Sequence, residues 1–252
     1  FVVENSSSCL DSITKTIEIK DLPTADAGGP VPAICNTDST QIGSANNALY
    51  TYAWDNGATL SNDKISNPKA GPSVTTTYAV TVTEISTGCI ATDQVIVTVQ
   101  PLPVVDFTFV ETCLNDQTQF TDATTIVSGT LNNWEWDFGD GIGTSTQEDP
   151  SYQYLTSGTF SVKLIVTSLL GCKDSISKDV DISPLPDVSF TYSDTCLGAP
   201  TSFTDETTIS AGGLTGWNWD FGDGIGTSSD EDPTYQYAAA GTYSVKLVVN
   251  SA

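Results

Sequence analysis

Polar and apolar residues alternate along most of this chain. Phe160, Val162, Leu164 and Val166 fall on one face of a period-2 run, and Tyr243, Val245, Leu247 and Val249 repeat it. Tyr78, Val80 and Val82 do the same earlier. Phe107 with Phe109, and Phe190 with Tyr192, alternate with polar neighbours, and Trp134, Trp136 and Phe138 share a face. A side-chain period of two marks strands with one buried face. Gly, Pro, Asp and Asn separate these short runs, and no stretch has helical spacing. The pattern predicts an antiparallel β-sandwich, with a Trp filling the middle of each core.

The chain also repeats itself. WEWDFGDGIGTSTQEDPSYQY at 134–154 returns as WNWDFGDGIGTSSDEDPTYQY at 217–237. Trp136 and Trp219 are 83 residues apart, as are Cys113 and Cys196, and Cys89 and Cys172; Trp54 precedes Trp136 by 82. A period near 80 is a domain length, not a solenoid turn. Pro-rich segments lie between the units: DLPTADAGGP, QPLPVVDF and SPLPDVSF. Each follows a strand-like run, TKTIEI, DQVIVTV and SKDVDI. Pro fixes φ, so these joints are expected to be short and stiff. The predicted organisation has four parts. Residues 1–22 are the last strands of a preceding repeat, 23–100 a divergent repeat, 101–183 a full repeat, and 184–252 a repeat lacking its last hairpin. Phe1 reads as a cut point, and the whole as a window on an elongated array.

Composition narrows the function. The 252 residues hold 31 acidic side chains against 8 Lys, with no His, and carry a formal charge of −23. Nothing here neutralises phosphates, which excludes nucleic acid and anionic membrane surfaces as partners. No apolar run approaches the ~20 residues of a membrane span. Without His, imidazole catalysis and His-ligated metal sites are excluded. Ca²⁺ remains compatible, because it takes oxygen ligands.

WDFGDG, then a polar loop, then DPSYQY, then SGTFSVKLIV resembles the PKD (polycystic kidney disease) repeat, an immunoglobulin-like β-sandwich. The matching residues are Trp136, Asp137, Phe138, Gly139, Asp140, Gly141, Pro150, Tyr154, Gly158 and Val162. Their later counterparts are Trp219, Asp220, Phe221, Gly222, Asp223, Gly224, Pro233, Tyr237, Gly241 and Val245. The repeat at 23–100 reads YAWDNGATLSN, without Phe-Gly-Asp-Gly, and is PKD-like or immunoglobulin-like. The cysteine pattern, with Gly-Cys-x-Asp-Ser-Ile, resembles PKD arrays in secreted surface proteins of Bacteroidota, including adhesins tied to gliding motility and type IX secretion. The resemblance implies a secreted, extracellular, cell-surface location.

The loop carboxylates admit three readings. A catalytic pair such as Asp137 with Asp140 would need a cleft that separates the two pKa values, and an 80-residue sandwich has little room for one. The chain is therefore read as non-enzymatic. In the structural reading the carboxylates bond local amides, as Asp does in turns. In the third, Asp137, Asp140 and Asp149, with Asp220, Asp223 and Asp232 in the next copy, hold Ca²⁺. The resemblance allows this because some PKD domains bind calcium. No EF-hand spacing is present, and no cofactor is required.

Six cysteines without CxxC spacing point to disulfides in an oxidising compartment. The preferred pairing is within repeats, Cys35 with Cys89 and Cys113 with Cys172. Each bridge closes a loop worth about 4 kcal/mol on the chain-entropy model. Cys9 and Cys196 would then pair outside the window. If the two cysteines of a repeat lie at opposite ends, the alternative is a bridge between neighbouring repeats, such as Cys35 with Cys172. Ser12, Ser39 and Ser175, each after an Asp, resemble O-glycosylation acceptors of Bacteroidota secreted proteins.

The expected function is that of a stiff, disulfide-stabilised spacer presenting an adhesive tip and contributing adhesive surface. Its partners would be its own neighbouring repeats, surface polysaccharide or other cell-surface proteins. The alternative is a carbohydrate-binding or accessory module of a secreted polysaccharide- or protein-degrading enzyme. Solvent-exposed Trp134 and Trp217 would favour that alternative.

Overall fold

The computed structural model describes residues 2–4 and 10–251. It is all-β; among the described residues the only helical element is a 3-10 turn at Gly57–Thr59. Two compact units divide the chain, residues 1–102 and 103–252.

In the first unit Val2–Glu4 pairs antiparallel with Leu10–Ser12. The run Thr14–Ile19, expected to be a strand, carries none. Ile17 and Ile19 are 80% and 87% exposed, so no packed face holds that run in a ladder. Farther on, Tyr50–Trp54, Thr76–Glu84 and Ile90–Val97 form an antiparallel sheet with the longest strand in the centre. Thr40–Gln41 pairs with Lys69–Ala70, and Ile34–Cys35 runs parallel to Val99–Gln100. The predicted period-2 face closes over the core: Tyr78, Val80 and Val82 are buried against Trp54, Val95 and Val97.

The second unit contains two sandwiches. In the first, a five-stranded sheet runs in the order Thr112–Cys113, Lys173–Ser183, Gly158–Ser168, Leu131–Asp137, Thr144–Ser145. The facing sheet is Phe107–Phe109, Gln117–Asp122, Ser151–Gln153. Val162, Leu164 and Val166 are fully buried between the sheets, together with Phe107, Phe120, Trp136, Phe138, Val180 and Ile182. Each such side chain contributes about 1.5–3 kcal/mol through burial. The second sandwich repeats the strands Phe190–Tyr192, Thr201–Asp205, Leu214–Asp220, Thr227–Ser228, Thr234–Tyr235 and Lys246–Ser251. Even the bulge recurs, between Leu131 and Asn133 and between Leu214 and Gly216. Here the alternating run is less complete: Val249 is buried, but Tyr243, Val245 and Leu247 are half-buried.

The expected bridges Cys35–Cys89 and Cys113–Cys172 do not form: Cys89, Cys113 and Cys196 are free thiols, and Cys35 and Cys172 are each disulfide-bonded. Strand length explains the correction. Cys113 lies beside Ser183, at the far end of the strand Lys173–Ser183, whereas Cys172 immediately precedes Lys173. Eleven residues of extended chain span roughly 35 Å, whereas a disulfide needs Cα atoms within about 7 Å. Cys35 beside Gln100 and Cys89 before Ile90 are separated in the same way. Cys9 lies outside the described residues.

Candidate functional site

The repeated acidic turn is the one motif with the composition of a site. It follows the strand Leu131–Asp137, whose alternation buries Trp136 and leaves Asp137 outward. Phe138 turns back into the core, 1% exposed. Gly139 takes φ +79°, and a Cβ there would lie 2.6 Å from the Ser161 carbonyl oxygen. Only glycine fits such an approach. At Gly143 a Cβ would overlap the Tyr152 ring at 2.3 Å, so the absent side chain seats that tyrosine. Tyr152 stacks on Phe138 with ring centroids 4.1 Å apart.

The carboxylates each have a backbone donor. Asp137 Oδ1 accepts from the Gly139 amide at 3.0 Å. Asp140 Oδ1 accepts from the amides of Ile142 and Gly143, at 3.1 and 2.8 Å, and its Oδ2 accepts from the Tyr152 hydroxyl at 2.5 Å. Asp149 Oδ1 accepts from the Asp122 amide at 2.8 Å. The second copy has the same geometry: Asp220 with Gly222 at 2.9 Å, Asp223 with Ile225, Gly226 and Tyr235 at 3.1, 2.8 and 2.5 Å, and Asp232 with the Asp205 amide at 2.8 Å.

Burial pushes the Asp140 carboxyl upward, but the Tyr152 hydroxyl and the Gly143 and Ile142 amides outweigh it and hold it below the ordinary range. The Tyr235 hydroxyl, then the Gly226 and Ile225 amides, do the same for Asp223. Reciprocally, the Asp140 hydrogen bond pushes the Tyr152 hydroxyl up to about 12, and Asp223 does so for Tyr235. Burial raises Tyr154, whose hydroxyl donates to the Phe138 carbonyl at 3.0 Å.

Thus the structure brings Asp137 and Asp140 onto one turn and ties Asp149 to a neighbouring strand. Among the described residues no group of three or more Cys, Asp or Glu side chains is placed to hold a metal ion.

A residue that sequence reasoning missed sits beside this turn. Asp122 ends the strand Gln117–Asp122; its Oδ1 accepts from the Thr124 amide and hydroxyl, and its Oδ2 from Trp134 Nε1 at 2.9 Å. Asp205 holds Thr207 and Trp217 in the same way, with the indole bond at 2.7 Å. The only sequence signal is FTDATTI at 120–126 returning as FTDETTI at 203–209. Trp134 and Trp217 are half-buried with their indole nitrogens engaged, so they form no open aromatic platform.

One device survives in the divergent repeat. Trp54, Trp136 and Trp219 each donate from Nε1, at 2.9 Å, to the carbonyl eleven residues on, at Ile65, Gln147 and Asp230. Ser12, Ser39 and Ser175 are exposed, and the Asp before Ser12 and before Ser175 accepts that serine's own amide, at 2.9 and 2.8 Å.

The family model of the PKD domain matches residues 100–184 and again 181–252. Among solved structures, the PKD1 domain of Vibrio anguillarum Epp is similar at 25% identity, covering 33% of this chain and 96% of that one, with a TM-score of 0.31. The PKD1 domain of the Vibrio cholerae metalloprotease PrtV is similar at 28%, covering 32% and 96%, with a TM-score of 0.30. The N-terminal eight immunoglobulin domains of Down Syndrome Cell Adhesion Molecule share 14% identity over 77% of this chain and 28% of that one, with a TM-score of 0.50, a likeness of fold.

Proposed function

Because the chain belongs to the PKD domain family, we propose that it is a non-enzymatic spacer in a secreted cell-surface adhesin of the Bacteroidota gliding or type IX secretion kind. The observation that supports this is what the repeated turn does. The carboxylates of Asp137 and Asp140 and of their copies each accept an amide of their own turn, those of Asp149 and Asp232 an amide of a neighbouring strand, and those of Asp140 and Asp223 also a tyrosine hydroxyl. A motif repeated to hold its own backbone fits an array whose product is length and stiffness. Family membership fits the same reading, since PKD domains are non-catalytic modules that also occur in enzymes. The half-buried Trp134 and Trp217 weigh against the carbohydrate-binding alternative.

In this reading the array carries an adhesive tip away from the cell, with Ser12, Ser39 and Ser175 as exposed glycan acceptors and neighbouring repeats as its nearest partners. Affinity electrophoresis of the purified chain through gels containing soluble polysaccharides tests it. A mobility unchanged across the panel is expected, together with a saw-tooth force–extension trace in which repeats unfold singly. Retardation by a polysaccharide that the pair Trp134→Ala and Trp217→Ala abolishes would overturn it in favour of the binding module.

A further inference from the structure

We propose that one copy of this chain donates a strand to another: residues 10–19 of the donor complete the sheet in residues 184–252 of the acceptor, antiparallel to residues 241–250. Two stretches without a ladder point there. Residues 13–19 alternate and expose Ile13, Ile17 and Ile19, yet belong to no strand. Residues 241–245 also belong to none, and Lys246–Ser251 is paired on one side only. Among the described residues of one copy, both stretches stand open.

The repeat at 101–183 shows what each stretch lacks. There Gly158–Ser168 is one unbroken strand. From Lys163 onward it pairs with Leu131–Asp137, but its first five residues pair with Lys173–Ser183 alone. Their counterparts 83 residues on are residues 241–245, the ones left outside any strand. The donor matches the partner they lack. LDSITKTIEIK at 10–20 aligns with KDSISKDVDIS at 173–183, at a spacing of 163. At the same spacing, Val2–Glu4 pairs with Leu10–Ser12 in the register in which Ile165, Val166 and Thr167 pair with Ser175, Asp174 and Lys173.

The register of Gly158–Ser168 on Lys173–Ser183 carries over by these spacings. It sets Gly241 against Ile19, Tyr243 against Ile17, Val245 against Lys15 and Leu247 against Ile13. Val248, Val249 and Asn250 take over Ser12, Asp11 and Leu10 from Val2–Glu4, pair for pair. The acceptor holds a seat for the apolar side chains, a groove lined by Phe190, Tyr192, Leu197, Phe203, Tyr243 and Val245. In the earlier sandwich the counterparts of Ile17 and Ile19 are Val180 and Ile182, both buried in the core. Lys178 there donates to the Phe107 carbonyl at 2.6 Å and lies 5.1 Å from that ring's centroid. Lys15 and Phe190 are the counterparts, so the donor's cation has a place as well. Ladder bonds supply affinity and alternate side chains supply register, as in other strand additions to an open edge.

Each copy carries one donor and one acceptor, so the contact runs head to tail and repeats from copy to copy. It does not depend on what the array presents. The formal charge of −23 on each copy opposes it, which sets the salt of the test at about 0.15 M, where screening acts beyond about 8 Å.

Analytical ultracentrifugation of the full chain over a concentration series tests it. Dimers and longer assemblies that grow with concentration are expected. Ile17→Asp with Ile19→Asp, two exposed positions outside the cores, is expected to abolish them. A synthetic peptide of residues 10–20 added to that variant is expected to slow hydrogen exchange at Thr242, Tyr243, Ser244 and Val245. A chain that stays monomeric at every concentration overturns the proposal, including one whose own residues 10–19 protect those amides. So does assembly that survives in the variant, and so does a peptide that leaves the four amides unprotected.

Discussion

Residues 101–183 and 184–251 share a repeated sequence and differ in two strands. The first sandwich has Lys173–Ser183 beside Gly158–Ser168 and Thr112–Cys113 beside Lys173–Ser183; among the described residues the second has no counterpart of either. The cores differ accordingly. Phe107, Val162 and Leu164 are fully buried, whereas their counterparts Phe190, Val245 and Leu247 are half-buried. The corners do not differ: the Asp140 and Asp223 bond lengths agree throughout. The turn is thus encoded within about twenty residues, and core burial depends on a strand arriving from outside that stretch.

The largest test of this contrast is a matched truncation. Leu164→Ala empties a closed core and is expected to cost about 2–5 kcal/mol. Leu247→Ala removes a half-buried side chain and costs less than half as much. Hydrogen exchange resolved by repeat measures both; equal losses would erase the distinction.

Next come the glycines. Gly139→Ala and Gly222→Ala place a Cβ 2.6 and 2.3 Å from the carbonyl oxygens of Ser161 and Ser244, at φ +79° and +76°. Both are expected to destabilise their repeats by about 1–3 kcal/mol through backbone strain, and by similar amounts, because the corner is local. A repeat-resolved loss confined to one copy would show that the corner depends on the missing strand.

The corner also has a pH signature. The Asp140 and Asp223 carboxyls lie below the ordinary value of 3.8. A depressed folded pKa gives stability present above the unfolded value and lost as pH falls through the folded one. The Tyr152 and Tyr235 hydroxyls, raised to about 12, give stability that is full below pH 10 and lost as pH rises through 12. Tyr152→Phe with Tyr235→Phe is expected to remove most of the alkaline loss, read by ultraviolet titration of tyrosinate against melting. An unchanged alkaline limb would assign it elsewhere.

The smallest effect expected is that of chelation. With Asp137, Asp140 and Asp149 already accepting backbone donors, EDTA is expected to leave the melting temperature unchanged. A drop would reassign those carboxylates to Ca²⁺.

The parts of the fold legible in sequence are those set by near neighbours. The alternation at Phe160–Val166 gave the buried face, and the Asp140 turn could be read from its glycines. What was not legible depends on distance along strands. The within-repeat pairing of Cys113 with Cys172 seemed natural on spacing, and fails because an eleven-residue strand keeps them apart. Asp122 escaped notice because a carboxylate ending a strand looks solvated until the fold brings Trp134 Nε1 to it. Thr14–Ile19 alternates, yet alternation makes a strand only where a partner and a packed face exist.

The placement of Lys173–Ser183 between Gly158–Ser168 and Thr112–Cys113 also sets an order of assembly. A chain emerging amino-terminus first presents Cys113 some sixty residues before the strand that pairs with it. Closing so long a loop is slow beside local turn formation. In each repeat the glycine–aspartate turn therefore forms early, and one edge of the sheet stays open until the final strand joins it.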